Sequence, residues 1–213
     1  MKVKQIQLEH EIFANCYLIV DEKTGEAAIV DPAWYGDAIK SVLESNNISL
    51  KYVLLTHGHF DHILGVYGLQ KEEGAKVVIH KNDADHLIDP KKSLCEGNFP
   101  EPQYPVSADI TVKDGDVLTL GEEEIKVMHT PGHTMGSVCY ILENDRIIIS
   151  GDTLFCMTAG RTDFFDGSDE LMVESLKRLI ALDGDYSVLP GHNRATTLES
   201  ERKRNWYIRR MVK

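Results

Sequence analysis

An α/β fold is predicted by three features of the sequence. Apolar, β-prone runs give way to helical spacing, and this strands-then-helix order occurs twice along the chain. The segment richest in chemistry, Thr56-His57-Gly58-His59-Phe60-Asp61-His62, falls at a strand-to-helix junction. That is the edge of a sheet at which ligands of α/β folds usually bind. With 213 residues, 42% of them hydrophobic and 27% charged, the chain is expected to form one domain over residues 1–213 rather than two.

The elements follow in order. Val3 to Leu8 alternates weakly, as an edge strand does. Cys16 to Val20 and Ala27 to Val30 flank the polar turn Asp21-Glu22-Lys23-Thr24-Gly25, which predicts a hairpin. The hairpin ends at Asp31-Pro32, and the proline turns Asp31 away from helix and leaves its carboxylate at a strand end. Asp31 is thus either a turn former or a support for a nearby site. Tyr35 to Ser45 has helical spacing (Ile39, Val42, Leu43). Lys51 to Leu55 is the buried strand before the histidine cluster, and a helix begins near Ile63. A strand at Lys76 to Ile79 and a short helix at Asn82 to Leu87 carry His80 and His86, both expected to be packing or surface histidines. Residues 88–107 hold four of the seven prolines and form an irregular loop of the kind that often covers a site. From Ile110 short strands dominate, including a hairpin about Glu143-Asn144-Asp145. Helical spacing returns at Leu171 to Leu182, and Glu199 to Val212 is expected to be helical.

Composition excludes several classes. A net charge of −11 disfavours a broad nucleic-acid or anionic-membrane footprint. No apolar run is long enough for a signal peptide or a membrane span, so a cytoplasmic location is expected. Cys16, Cys95, Cys139 and Cys156 are widely spaced and read as free thiols, with Cys139 and Cys156 packed away.

Three histidines and one aspartate within residues 57–62 form a metal-ligand density. In an extended loop alternate residues point the same way, so His57 and His59 can share one metal, while Asp61 and His62 suit a second. Imidazoles plus a carboxylate favour zinc, iron or manganese over calcium or magnesium. Three further ligand-type residues follow strand ends and tight turns: His133 in T-P-G-H, Asp152 in S-G-D-T and His192 in L-P-G-H. The three prolines outside the irregular loop, Pro32, Pro131 and Pro190, all sit beside candidate site residues, which favours a rigid site.

The run T-H-G-H-F-D-H-x-x-G, with H-T-P-G-H-T, S-G-D-T-L-F and L-P-G-H, resembles the metallo-β-lactamase superfamily over most of the chain. The resemblance implies a four-layer αββα sandwich of two mixed β-sheets flanked by helices. It implies that His57, His59 and His133 hold one metal, that Asp61, His62 and His192 hold another, and that Asp152 bridges both. The two ions would be divalent, zinc first, with iron or manganese as alternatives. Gly160-Arg161-Thr162-Asp163-Phe164 resembles small glyoxalase II-like thioesterases and also persulfide dioxygenases, and Thr196 to Asn205 resembles the tail of the thioesterases. The expectation is a binuclear hydrolase of a thioester such as a hydroxyacylglutathione. A metal-bridging hydroxide would attack the carbonyl, with Asp61 beside that hydroxide as the catalytic side chain. A mononuclear-iron persulfide dioxygenase is the alternative. Asp31 is the expected support of a ligating histidine. Arg161 is the candidate contact for the carboxylate of a small anionic substrate, unless it is spent on an ion pair with Asp163. The basic residues Arg202, Lys203, Arg204, Arg209, Arg210 and Lys213 suit a solvated helix face or a homodimer contact.

Overall fold

The computed structural model describes residues 1–8, 14–45 and 48–212. Strands β1 (Lys2–Ile6), β2 (Cys16–Val20), β3 (Glu26–Val30), β4 (Ser49–Leu54), β5 (Lys76–His80) and β6 (Ile110–Val112) form the first sheet in that spatial order. Pairing is antiparallel from β1 to β3 and parallel from β3 to β6. Parallel neighbours need crossovers. Helix α1 (Asp37–Ser45) supplies one, and α2 (Phe60–Ile63), α3 (Val66–Gly68) and a π-helical turn (Leu69–Glu73) supply the next. Gly74, in the left-handed region at φ 68°, ends that turn as helix-terminating glycines do.

The second sheet uses β7 (Val117–Leu120), β8 (Glu123–His129), β9 (Val138–Leu142), β10 (Ile147–Gly151), β13 (Ser187–Pro190) and β14 (Thr196–Thr197). Its spatial order is β14-β13-β10-β9-β8-β7, and only β10–β13 is parallel. The hairpin of β11 (Leu154–Phe155) and β12 (Thr158–Ala159) stands apart from both sheets. Helix α4 (Asp169–Ile180) opens with Ser168 accepting from the Leu171 amide, and α5 (Leu198–Arg204) opens with Thr197 accepting from that of Ser200.

Side-chain alternation builds the layers. On β2 to β5, Tyr17, Ile19, Val30, Leu54 and Val78 face the second sheet, where they meet Leu120, Ile125, Val127, Tyr140 and Ile149. Their neighbours Leu18, Ile29, Val53, Val77 and Ile79 face outward onto Ile39, Leu43 and Leu69 of the helical layer. On the other side Ile141, Ile148 and Val188 pack against Met172, Leu176 and Leu179 of α4 and Leu198 of α5. The result is the αββα sandwich of two mixed sheets that the resemblance implied.

Three elements differ from expectation. The residues expected as a short helix at 82–87 make one 3-10 turn, Ala84–Leu87. The β11–β12 hairpin was not anticipated, since two-residue strands carry no periodicity. The C-terminal helix is not continuous. Asn205 leaves helical geometry (φ −61°, ψ 117°), and its side-chain oxygen accepts from the amides of Tyr207 and Ile208. An Asn side chain that bonds the backbone locally competes with the helix in this way. A π-helical turn follows at Ile208–Val212, and Lys213 lies outside the described residues.

Glu201 fastens this C-terminal segment to the hairpin. It is fully buried and accepts from the Met157 amide at 2.8 Å, Thr196 Oγ1 at 2.7 Å and Asn205 Nδ2 at 2.8 Å. Asn205 also donates to the Thr158 carbonyl at 2.9 Å. Glu201→Ala strands these buried partners and is expected to cost about 2–4 kcal/mol. Urea unfolding checks it, and an unchanged midpoint would show that Glu201 does not hold the hairpin.

Candidate metal centre

Strand ends supply the site. After β4 the chain bends at Thr56 and His57 and is extended at His59 (φ −72°, ψ 148°), and the first turn of α2 then presents Asp61 and His62. His133 follows β8 after the Thr130-Pro131-Gly132 turn, Asp152 follows β10, and His192 follows β13. Sequence positions far apart thus meet at one edge of the sandwich.

The seven candidate donors fall into overlapping groups. His57, His59 and His133 each bring one donor atom within 4.8 Å of the others, as do Asp61, His62 and His192, and also His57, His62 and Asp152. His59 Nδ1 faces His133 Nε2 at 2.9 Å. Asp152 sits between the groups. Its Oδ2 is 3.4 Å from His133 Nε2 and 3.7 Å from His192 Nε2, and its Oδ1 is 3.6 Å from His62 Nε2. Asp61 Oδ2 lies 3.1 Å from His192 Nε2.

Hydrogen bonds behind the rings decide which nitrogens are free. The buried Asp31 carboxylate accepts from the Thr56 amide (2.8 Å), Thr56 Oγ1 (2.6 Å) and His62 Nδ1 (2.9 Å). Thr56 Oγ1, having given its proton to Asp31, accepts from His57 Nδ1 at 3.2 Å. His133 Nδ1 donates to the Arg161 carbonyl at 2.7 Å. In each of these rings the bond at Nδ1 leaves Nε2 as the nitrogen available to a metal. Asp31 thus orients His62 directly and His57 through Thr56, as the support role requires. It does so from the left-handed region at φ 49°, which Asp tolerates better than most residues.

Electrostatics points the same way. Burial holds His57 well below its ordinary pKa, and burial first, then His133, brings His59 down to about 2, so both rings are neutral. Burial also disfavours charge on His62, but Asp31, Asp61 and Asp152 outweigh it and push its pKa up to about 10. A field that strongly favours a proton also favours a divalent cation.

The residues fit metal ions on a direct observation. His57 Nε2, His62 Nε2 and Asp152 Oδ1 are buried and have no hydrogen-bond partner, and His59 turns its Nδ1 to the same centre. Burying such groups unpaired is costly, and a cation between them removes the cost. Gly191 is required at this point, because a Cβ there would collide with Asp152 Oδ1.

The centre lies on a cleft of about 740 Å³ lined in part by Leu94, Asn98, Phe155, Arg161, Phe164 and Asn193. Leu94 and Asn98 come from the irregular loop, which therefore forms a wall of the cleft. Of the two roles expected for Arg161, the ion pair with Asp163 is the one the structure contains. Its exposed guanidinium pairs with Asp163 at 2.6 and 2.7 Å and lies 4.6 Å from the Phe164 ring centre, at the rim of the cleft.

Two expectations need correction. Cys156 is half-buried and receives Arg194 Nε at 3.3 Å, so it does not pack away like Cys139. His80 does pack, flat on His129 with centroids 4.0 Å apart. His86, however, is a buried ring with both nitrogens unpartnered, not a plain packing residue. Sequence reasoning also passed over Asp83, whose Oδ2 accepts from the Gly58 amide and Thr134 Oγ1 at 3.0 and 2.7 Å. Its only signal is a polar residue next to a short helical turn.

Comparison with known proteins fixes the class. The metallo-beta-lactamase superfamily model matches residues 11–192, and the chain belongs to that family. An uncharacterised protein of Mycobacterium leprae is 38% identical, covering 91% of this chain and 93% of its own. The hydroxyacylglutathione hydrolase GloC of Haemophilus influenzae is 30% identical over 91% of this chain and 92% of its own. Among solved structures, the BLEG-1 B3 metallo-beta-lactamase superposes with a TM-score of 0.91 at 31% identity, covering 97% of this chain and 99% of that one. TTHA1623 in a di-iron-bound form gives 0.84 at 26%, covering 95% and 98%. ETHE1 from Myxococcus xanthus gives 0.77 at 29%, covering 100% and 85%.

Two outcomes follow. Asp31→Asn is expected to weaken metal affinity about 10–100-fold while the domain still folds; chelator competition measures it, and unchanged affinity would reduce Asp31 to a turn former. The second concerns protein stripped of metal. Below pH 6.5 the unfolded chain takes up protons that native His57 and His59 refuse, so stability falls as the pH falls. Between 6.5 and about 10 native His62 keeps a proton that the unfolded chain has lost, so its contribution is full below 6.5 and declines as pH rises. Stability of the stripped protein should therefore peak near pH 6.5. Urea unfolding across pH checks this, and a plateau from pH 5 to 9 would contradict it.

Proposed function

We propose that this chain is a metal-dependent thioester hydrolase with two divalent ions at the His/Asp centre, its simplest substrate a hydroxyacylglutathione. The observation that carries the reading is the position of the Asp152 carboxylate between the His57/His59/His133 group and the Asp61/His62/His192 group. Two such ions, when bound, make a nucleophile of water near neutral pH and polarise the substrate carbonyl. In this assignment His57, His59 and His133 hold one ion, Asp61, His62 and His192 the other, and Asp152 both. Zinc fits the donors best; iron or manganese fit too, and the di-iron neighbour supports iron.

The chain's own residues do the rest. Asp61, beside the attacking water, takes the catalytic position, and its carboxyl stays ionised. Burial opposes that charge, but His62 and His192 outweigh it and hold the pKa well below the usual carboxylate range. Phe155 and Phe164 supply apolar walls that limit bulk water around the thioester. Arg161 takes a carboxylate of the substrate, for which its planar fork is suited, while Asp163 keeps the guanidinium in place until then. A thiolate leaves readily without a proton, so no general acid is needed. A cytoplasmic enzyme of one domain acting on a small anionic molecule is the setting this implies.

The second reading, a one-iron persulfide dioxygenase, is supported by the likeness to ETHE1 over the whole chain. Against it stands the assembled Asp61/His62/His192 group, which a single iron does not need.

The deciding test is what the enzyme consumes. Metal-loaded protein should release free thiol from lactoylglutathione without oxygen. Oxygen uptake with glutathione persulfide, and no thiol release from any thioester tried, would overturn the hydrolase reading. Arg161→Ala should raise KM roughly 10-fold with kcat little changed, the loss of one charge-assisted hydrogen bond. An unchanged KM would leave Arg161 as a loop brace.

A further inference from the structure

Beside the candidate centre lies a second convergence of donors. The His86 ring centroid is 6.3 Å from that of His59. Asp83, His86 and Asp166 each bring one donor atom within 4.8 Å of the others. His86 Nε2 and Asp166 Oδ2 are 3.3 Å apart, an ion-pair distance when the ring is protonated, without a well-directed hydrogen bond between them. Both His86 nitrogens, Asp83 Oδ1 and both Asp166 carboxylate oxygens are buried and without a hydrogen-bond partner. Asp83 is 0% exposed and His86 3%. The only other comparable convergence of orphaned polar atoms among the described residues is the candidate metal centre itself.

The pocket is built rather than incidental. The other Asp83 oxygen is fixed by the Gly58 amide and Thr134 Oγ1, so Oδ1 is left to face its two neighbours. Gly58 leaves room for the imidazole, since a Cβ there would collide with that of His86. Two buried carboxylates near each other are costly unless a positive charge lies between them. One imidazole and two carboxylates are a donor set for zinc, manganese or ferrous iron.

We propose that Asp83, His86 and Asp166 bind a third divalent transition-metal ion, separate from the seven-residue centre. Its three donors join the turn after β5 to the segment at 160–167 that carries Arg161 and Phe164. Asp83 at the same time grips the two loops that present His57, His59 and His133. The ion is thus a rivet between the metal-binding loops and a wall of the cleft. A proton on His86 is the rival occupant. Burial disfavours that proton, while Asp166 and Asp83 more than offset the effect, so the imidazole pKa is raised.

Zinc counting separates the two. Protein should be dialysed to equilibrium against micromolar zinc in mildly alkaline buffer, then analysed for zinc per chain beside Asp166→Asn and His86→Ala. Wild type is expected to hold one zinc more than either variant. Equal counts in wild type and Asp166→Asn would overturn the proposal and leave a protonated histidine in the pocket. The readout is a difference of one, so it stands whether the main centre holds one ion or two. Should His86→Ala fail to fold, Asp166→Asn keeps the shape of the side chain. Wild-type crystals grown with zinc give a further check. An anomalous peak among Asp83, His86 and Asp166 is expected, and a zinc-saturated crystal without one would sink the idea.

Discussion

Lone pairs that the protein itself does not satisfy are the constraint on which this structure turns. His57, His62 and Asp152 carry buried nitrogen or oxygen atoms without a partner, and His59, His133, Asp61 and His192 close around the same spot. A fold that only needed stability would replace such groups by apolar ones. Here the surrounding chain instead spends hydrogen bonds on aiming them. Asp31 holds His62 and, through Thr56, His57, and the Arg161 carbonyl holds His133. Supports of this kind leave Nε2 of each ring as the nitrogen available to a cation.

The sandwich exists, in functional terms, to bring four strand ends to one edge. Strand β4 comes from one sheet, and β8, β10 and β13 from the other. The apolar layer between the sheets fixes their separation, and close packing makes that separation stiff. Ligand-type residues on the turns after these strands therefore meet with little freedom. Segments outside the two sheets form much of the cleft wall: residues 88–107, the β11–β12 hairpin and the stretch from 160 to 167. Those segments line the cleft, while the candidate metal donors sit at the strand ends.

The sequence made the centre legible because its donors are local or sit at marked turns. His57, His59, Asp61 and His62 are within six positions, and Pro131, Pro190 and Pro32 mark the turns of His133, His192 and Asp31. The layer order was legible through alternation, as in Tyr17 to Ile19 and Val77 to Ile79, whose faces divide between two cores. What stayed hidden depends on long-range contact. Asp166 is 80 residues from His86, and neither carries a mark of pairing. Arg194 reaches Cys156 only because the turn after β13 passes the hairpin. Asn205 breaks the last helix by a side-chain bond that helical spacing does not register.

The central claim is that Asp152 is shared by two ions. An anomalous difference map of metal-loaded crystals tests it most directly. The account predicts two peaks about 3.5–4 Å apart on either side of the Asp152 carboxylate, one among His57, His59 and His133 and the other among Asp61, His62 and His192. A single peak at full occupancy, with Asp61 and His192 turned away from it, would contradict it.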